Sequence, residues 1–295
     1  LWLHLAGLLK GSPFPRAVSS SSAAFFIALG VSVIIAIYGY WEALDIRTTR
    51  VVLKTSKIPP SAKKLTIVQI SDVHLGVIVR EKRLKRILEK VKAAKPDILV
   101  STGDLVDAQL DSLPNLAAMF RDIDPPYGAF AVTGNHEYYA GLRKAAAFTR
   151  GAGFRLLRGE GVTLDGVMSI AGVDDRAAER FNQGNAVSEK TVLSGLPQNR
   201  FTLLLKHRPV VDRQTTDLFD LQLSGHVHKG QIFPFTLITK LFFPMDAGLY
   251  EIGPGTHLYV SRGSGTWGPP IRFLSPPEVV VIELVRKAEA SSTPP

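Results

Sequence analysis

Five short apolar runs in this chain, LTIVQIS, DILVST, GAFAVT, FTLLLK and LQLS, each end in a polar cluster, and five of its seven histidines sit in those clusters. In order the clusters are Asp72-Val73-His74, Gly103-Asp104, Gly134-Asn135-His136-Glu137, Lys206-His207-Arg208-Pro209 and Gly225-His226-Val227-His228. Short apolar runs bounded by turn residues read as strands. A sheet built from them carries carboxylates, imidazoles and one amide on the rim where its strands end. Ligands of that kind hold divalent metals for phosphoester chemistry.

The segments between the runs fix the fold class. Strand 65–71 is followed by a basic helix near 81–94, strand 97–102, an irregular or helical stretch near 111–122, strand 128–133 and a helix near 141–151. Short pieces from about 154 to 174 read as antiparallel strands, and strands near 201–206 and 219–224 return to the core. GLYEIG, HLYVSR and EVVVIELV make residues 247–285 rich in β-structure. The pattern predicts an α/β fold, a two-sheet β-sandwich flanked by helices, with its site at the C-terminal strand ends.

Asp72 and His74 stand two apart on a segment leaving a strand, where period-two geometry points both to one side and lets them share a metal. Ser71-Asp72 is equally a helix cap or turn. Asp104 follows a glycine that lets the chain turn sharply, and its two oxygens can bridge two cations. Gly-Asp is also a plain turn signal. Asn135 offers a neutral ligand, leaving its neighbour His136 to face a substrate. His207 precedes Pro209, which bars a simple continuation of the strand. His226 and His228 repeat the Asp72–His74 spacing, with Gly225 allowing the turn. Any one histidine here reads as a structural residue; the five clusters together read as one metal site.

From Ala17 to Trp41 there is no charge, and Ala23 to Trp41 is almost wholly apolar. As a helix those residues span roughly 28 Å, the thickness of the hydrocarbon layer. Tyr38, Tyr40 and Trp41 would form its interfacial belt. An uncleaved anchor over 23–41 is favoured over a signal peptide, because no small-x-small site follows. Residues 1–22 read as an N-terminal segment, its LWLHLAGLL opening as the tail of an earlier span, and 42–64 as a basic juxtamembrane linker. Charge flanking the span favours a cytoplasmic catalytic domain. The net charge is +9. Arg47, Arg50, Lys54, Lys57, Lys63 and Lys64 sit where an anionic lipid surface would be. No aromatic residues interleave with the basic ones, which argues against a nucleic-acid partner. No protein partner is predicted. Cysteine is absent, which excludes disulfides, thiolate metal sites and cysteine nucleophiles. The tail after Arg286 reads as disordered.

SDVHLG, TGDLVD, GNHEYY, KHRP and SGHVHKGQ resemble the five signature blocks of the calcineurin-like metallophosphoesterases, over residues 65–285. The apolar insert 232–245, Gly248-Leu249-Tyr250 and the block Tyr259 to Thr266 resemble the bacterial membrane-anchored branch, which implies a bacterial inner membrane. Lys229 departs from that branch, where glycine is usual; it either adds a phosphate-directed charge or points to solvent. The resemblance implies that Asp72, His74 and His228 hold one metal, Asn135, His207 and His226 a second, and Asp104 bridges them. His136 would contact the phosphoryl group and assist the leaving oxygen, with Glu137 orienting it. Arg262 would bind a substrate phosphate or pair with a carboxylate. Two divalent cations (Mn, Fe or Zn) would generate a metal-bound hydroxide for in-line attack. The insert 232–245 reads either as core packing or as a lipid contact. The expected activity is hydrolysis of a phosphodiester or pyrophosphate, with a lipid-linked, nucleotide-sugar-lipid substrate. The competing readings are a tethered phosphodiesterase or phosphomonoesterase of general specificity and a non-catalytic scaffold of the same fold; a scaffold would have lost ligands.

Overall fold

The computed structural model describes residues 21–107, 114–184 and 187–287. The expectations for residues 1–20 and for the tail past 287 lie outside the described residues. The chain divides into two bodies, Leu1–Tyr38 and Gly39–Pro295. The described part of the first belongs to helix α1 (Ser21–Leu44), whose Phe26 and Ile34 are largely exposed. Over Ser22–Leu44 it is the one helix among the described residues that is long and apolar enough to cross a membrane. The last turn of α1, residues 39–44, belongs to the second body.

The second body runs in the order β1 (Arg47–Thr55), β2 (Lys64–Ile70), α2 (Glu81–Ala94), β3 (Ile98–Ser101), α3 (Pro114–Phe120), β4 (Ala129–Ala131), α4 (Asn135–Tyr139), α5 (Leu142–Gly151) and β5 (Arg155–Leu156). It continues with β6 (Glu160–Leu164), β7 (Met168–Gly172), α6 (Ala177–Arg180), α7 (Glu189–Ser194), β8 (Thr202–Leu205), β9 (Leu221–Ser224), a 3₁₀ turn (His228–Gly230), α8 (Phe235–Phe242), β10 (Gly248–Gly253), β11 (Thr256–Val260) and β12 (Glu278–Arg286). The strands form two six-stranded sheets, β1-β12-β2-β3-β4-β5 and β10-β11-β9-β8-β7-β6.

Strand alternation builds the layers. Leu65 and Ile67 of β2 pack with Leu203, Leu223 and Val280 between the sheets, whereas Val68 and Ile70 pack outward. Helix α2 covers that outward face with Leu84, Ile87, Leu88 and Val91, a helical stripe opposite its exposed lysines. On the other sheet, Val192 and Leu193 of α7 cover Ala171 and Leu204. Each such fully buried aliphatic side chain contributes about 1.5–3 kcal/mol. The result is mixed α/β, two parallel-rich sheets flanked by helices, as the alternation of runs predicts.

One expectation fails. The linker 42–64 contains β1, which pairs in parallel with β12 from Arg47↔Glu278 to Thr55↔Arg286. Its sequence, RTTRVVLKT, does not alternate cleanly because β1 is an edge strand with little of it buried. The basic residues assigned there to a lipid surface are largely paired: Arg47 with Asp45, Arg50 and Lys64 with Glu283, and Lys57 with Asp220. Charge on an edge strand also discourages pairing with a second chain. Of the two readings of the apolar insert, its helix α8 has no buried residue, while Phe243 and Met245 beyond it pack against Val227, Leu258 and Val260.

Candidate metal centre

The polar clusters converge where β2, β3, β4, β8 and β9 end. Asp72, His74 and His228 form one group, and Asp104, His207 and His226 a second; within each, one ligand atom per residue lies within 4.8 Å of the others. In the first group His74 Nε2 is 3.2 Å from His228 Nε2, and His228 Nε2 is 3.5 Å from Asp72 Oδ1. In the second, His207 Nε2 is 3.2 Å from His226 Nδ1 and 3.3 Å from Asn135 Oδ1. Asp104 lies between them. Its Oδ1 accepts the His136 amide at 2.8 Å, and its Oδ2 is 3.2 Å from His207 Nε2 and 3.9 Å from His74 Nε2.

The backbone explains how short motifs achieve this. Asp72, His74, Asp104, His226 and His228 all have left-handed φ, between 47° and 72°. Asp and His tolerate that region better than most residues, and it carries a cost met elsewhere in the fold. The side chains of Asp72 and His74 therefore share a cluster through two left-handed residues, not through the extended alternation expected of them. His226 and His228, at the same spacing, go to different clusters. Gly103, at φ 96°, is needed for its conformation and for room, because a Cβ there would lie 2.7 Å from His207 Nδ1. Gly225 serves by room alone: a Cβ would collide with Ser71 Oγ and Asp72 Oδ2.

His136 stands beside the first group, its ring 4.6 Å from that of His74, with Nδ1 2.9 Å from Asp107 Oδ1. The partner expected for it, Glu137, does something else. Its buried carboxylate accepts the amides of Asp104, Leu105, Val106 and Gly134, tying the β3 loop to the β4 loop. Arg262 takes the second of its two expected roles, pairing with buried Glu278 and Thr49 Oγ1. Lys229 is half-buried, and among the described residues no carboxylate pairs with it.

Three contributors were not singled out from the sequence, although Arg208 stands inside one of its clusters. Asp107 sits in TGDLVD but reads as a loop residue. Arg272, fully buried, donates to the carbonyls of Gly265, Arg262, His228 and Ser275 and places Nη2 3.0 Å from His228 Nδ1. That keeps His228 Nε2 turned toward Asp72 and His74. Arg208 pairs with Asp175 at 2.7 Å and sets Nη1 2.9 Å from His226 Nε2.

The charge states suit a cationic guest. Burial lowers His74 to about 4 and His226 to about 3, and burial with the Arg272 charge holds His228 well below its usual range. These three imidazoles are neutral at pH 7, and His74 and His228 bring their Nε2 atoms within 3.2 Å of each other. Burial opposes ionisation of Asp104, but His207 and His74 outweigh it and keep the carboxylate well below its ordinary pKa. Neutral imidazoles, an ionised carboxylate and an amide oxygen are a donor set that divalent first-row metals fit.

Two mixed sheets flanked by helices, with facing histidine–carboxylate groups at their strand ends, define a metal-dependent phosphoester hydrolase. The chain belongs to the calcineurin-like phosphoesterase family, whose profile matches residues 65–230. An uncharacterized metallophosphoesterase of Aquifex aeolicus is 40% identical over 259 residues, covering 87% of this chain and 98% of that protein. An uncharacterized metallophosphoesterase of Bacillus subtilis is 37% identical over 264 residues, covering 84% and 89%. A transmembrane protein with metallophosphoesterase domain from Danio rerio is 31% identical over 270 residues; the match covers 88% of this chain but 62% of that protein.

Proposed function

We propose that this chain is a membrane-anchored hydrolase that uses two divalent cations, with manganese among the candidates, to cleave a phosphodiester or pyrophosphate of a lipid-linked substrate. The observation that carries the two-cation reading is the position of Asp104 Oδ2, within 4 Å of a histidine nitrogen in each group. Asp72, His74 and His228 would hold one cation and Asn135, His207 and His226 the other, sharing Asp104. When bound, such cations neutralise phosphoryl oxygens and let water act as the nucleophile at neutral pH.

The protein's own groups do the rest. Asp104 is held in place through Oδ1 by the His136 amide, so the shared oxygen does not swing. With Nδ1 of His136 held by Asp107, Nε2 is the nitrogen that gives a proton to the leaving oxygen. Lys229, following His228 directly, supplies a cation for a substrate phosphate.

Two features support a lipid-linked substrate and an anchored enzyme; the basic flank of the span and the resemblance to the bacterial branch are what favour the cytoplasmic face of a bacterial inner membrane. One is the apolar length of α1. The other is a cavity of about 630 Å³ lined by Pro209, Val211, Phe242, Phe243, Met245 and Ile252. The ring of Phe243 lies 5.5 Å from that of His226, so the cavity adjoins the second group. A volume of that order takes a drug-sized or longer apolar moiety. The test is hydrolysis by the full chain, in detergent with added Mn, Fe or Zn, of bis(p-nitrophenyl) phosphate, p-nitrophenyl phosphate and an isoprenyl-linked pyrophosphate. Preference for the lipid pyrophosphate is expected. Turnover of the generic esters without any on the lipid pyrophosphate overturns the lipid assignment.

A further inference from the structure

Helix α8 is built inside out for a soluble domain. On a helical wheel Phe235, Leu237, Ile238, Leu241 and Phe242 occupy one side, and Thr236, Thr239 and Lys240 the other. The polar side is the one tied to the protein. Thr236 Oγ1 donates to the Lys229 carbonyl, Thr236 and Thr239 are the half-buried residues of the helix, and Lys240 faces Asp246 at 3.9 Å. The apolar side is left exposed: Leu241 is 80% exposed, and Phe242, at the rim of the cavity described above, 75%. A contiguous apolar face of this kind has a partner or aggregates.

The neighbourhood says which partner. At the base of α8, Phe233 N donates to the Phe273 carbonyl, and Ile232 bridges Phe273. The preceding residue, Arg272, donates its backbone N–H to the carbonyl of Gly39, and Ile271 packs at Gly39. Residues 39–44 are the end of the apolar helix, where Tyr40 and Trp41 are exposed. Leu274 and Trp267 are exposed beside this junction, and the Trp267 carbonyl accepts from Gln231. The base of α8 is therefore joined, through Phe273 and Arg272, to Gly39 at the start of the last turns of the apolar helix.

We propose that α8 is an interfacial membrane helix: its Phe235–Leu241–Phe242 face lies in the acyl boundary of the bilayer and holds the mouth of the metal centre at the lipid surface. A short amphipathic helix binds in this way by buried apolar area. The link to the site is short, since the 3₁₀ turn at His228 leads into α8 and Phe243 at its end touches His226. This rests on the reading of α1 as the anchor, so the test separates the two.

The chain has no cysteine, so single cysteines can be placed without altering any other residue. Leu241→Cys, Val33→Cys and Lys90→Cys, each labelled with an environment-sensitive nitrobenzoxadiazole dye, are reconstituted as the full chain in phosphatidylethanolamine–phosphatidylglycerol vesicles. All three sites are exposed in the protein. The expected result is blue-shifted emission at positions 33 and 241, with loss of intensity when the lipids carry a spin-label quencher, and water-like emission at 90. A lipid signal at 33 with water-like emission and iodide quenching at 241 leaves the anchor standing and overturns the proposal. A blue shift at 241 that lipid-borne quenchers do not reduce means a second protein copy covers the helix, and also overturns it. If position 33 fails to enter lipid, a lipid signal at 241 still supports the interfacial helix, and its absence overturns it.

Discussion

Asp104 and His207 form a buried pair, Oδ2 to Nε2 at 3.2 Å, while His207 Nδ1 lies 2.8 Å from the Thr102 carbonyl. Burial works against a charged His207, but Asp104 outweighs it and raises the imidazole to about 10, so in the metal-free protein Nε2 carries a proton at neutral pH. That raised value stabilises the fold of the metal-free chain fully below pH 6.5, and the contribution is lost as pH rises through about 10.

A cation held by the second group would take the place of that proton. Metal uptake at pH 7 is therefore expected to release a proton, and apparent affinity to climb between pH 6 and 8. Calorimetric titration of Mn(II) in two buffers of different ionisation enthalpy measures this. Identical heats in both buffers would contradict the pairing.

His136 is governed by the opposite balance from its neighbours. Burial lowers its pKa, but the hydrogen bond to Asp107 and the charges of Asp104, Asp107 and Glu137 raise it above the ordinary value. Asp107→Asn is expected to lower the His136 pKa and move the basic limb of the kcat/KM profile to lower pH. His136→Ala should cost about 10²–10⁴-fold in turnover at all pH values, as loss of a general acid does. A basic limb that does not move in Asp107→Asn assigns that limb to another group.

Glu137 holds four backbone amides at the crossing of two site loops. Glu137→Ala strips their shared acceptor and is expected to cost on the order of 3 kcal/mol in urea unfolding, with loss of metal as Asp104 shifts. Glu137→Gln, which keeps one acceptor oxygen, should fall between. Equal stability of all three proteins would remove the structural role.

Arg272 is a buried cation whose partners are chiefly backbone carbonyls and His228. Arg272→Leu is expected to weaken metal binding by about 10–100-fold, the usual effect of losing an outer partner of a ligand histidine. His228→Ala should abolish the first metal outright. A metal titration in Arg272→Leu that matches the unaltered chain would show that His228 is oriented by other contacts.

The convergence of the candidate donors was legible because each motif is local: an apolar run, a turn and one or two donors, all within a few residues. What surrounds the ligands was not. Asp107 and Arg272 act through contacts that form only when distant loops meet, and Arg272 follows a proline pair with nothing to mark it as buried. Glu137 beside His136 invites pairing by adjacency, yet helix α4 turns its carboxylate toward the β3 loop. The edge strand β1 escaped notice because a strand with one free side mixes polar and apolar residues. For α8 the apolar content was plain, but which side would face the protein depended on Lys229 and Asp246, and the polar side won. Asp72 and His74 reached one cluster by left-handed backbone, a conformation that no spacing rule supplies.

Electron paramagnetic resonance of the full chain loaded with two equivalents of Mn(II) reports whether two cations share the Asp104 carboxylate. An exchange-coupled Mn(II) pair is expected in the unaltered chain and its loss in Asp104→Ala. Isolated Mn(II) signals only, in a chain that hydrolyses bis(p-nitrophenyl) phosphate, would contradict a shared centre.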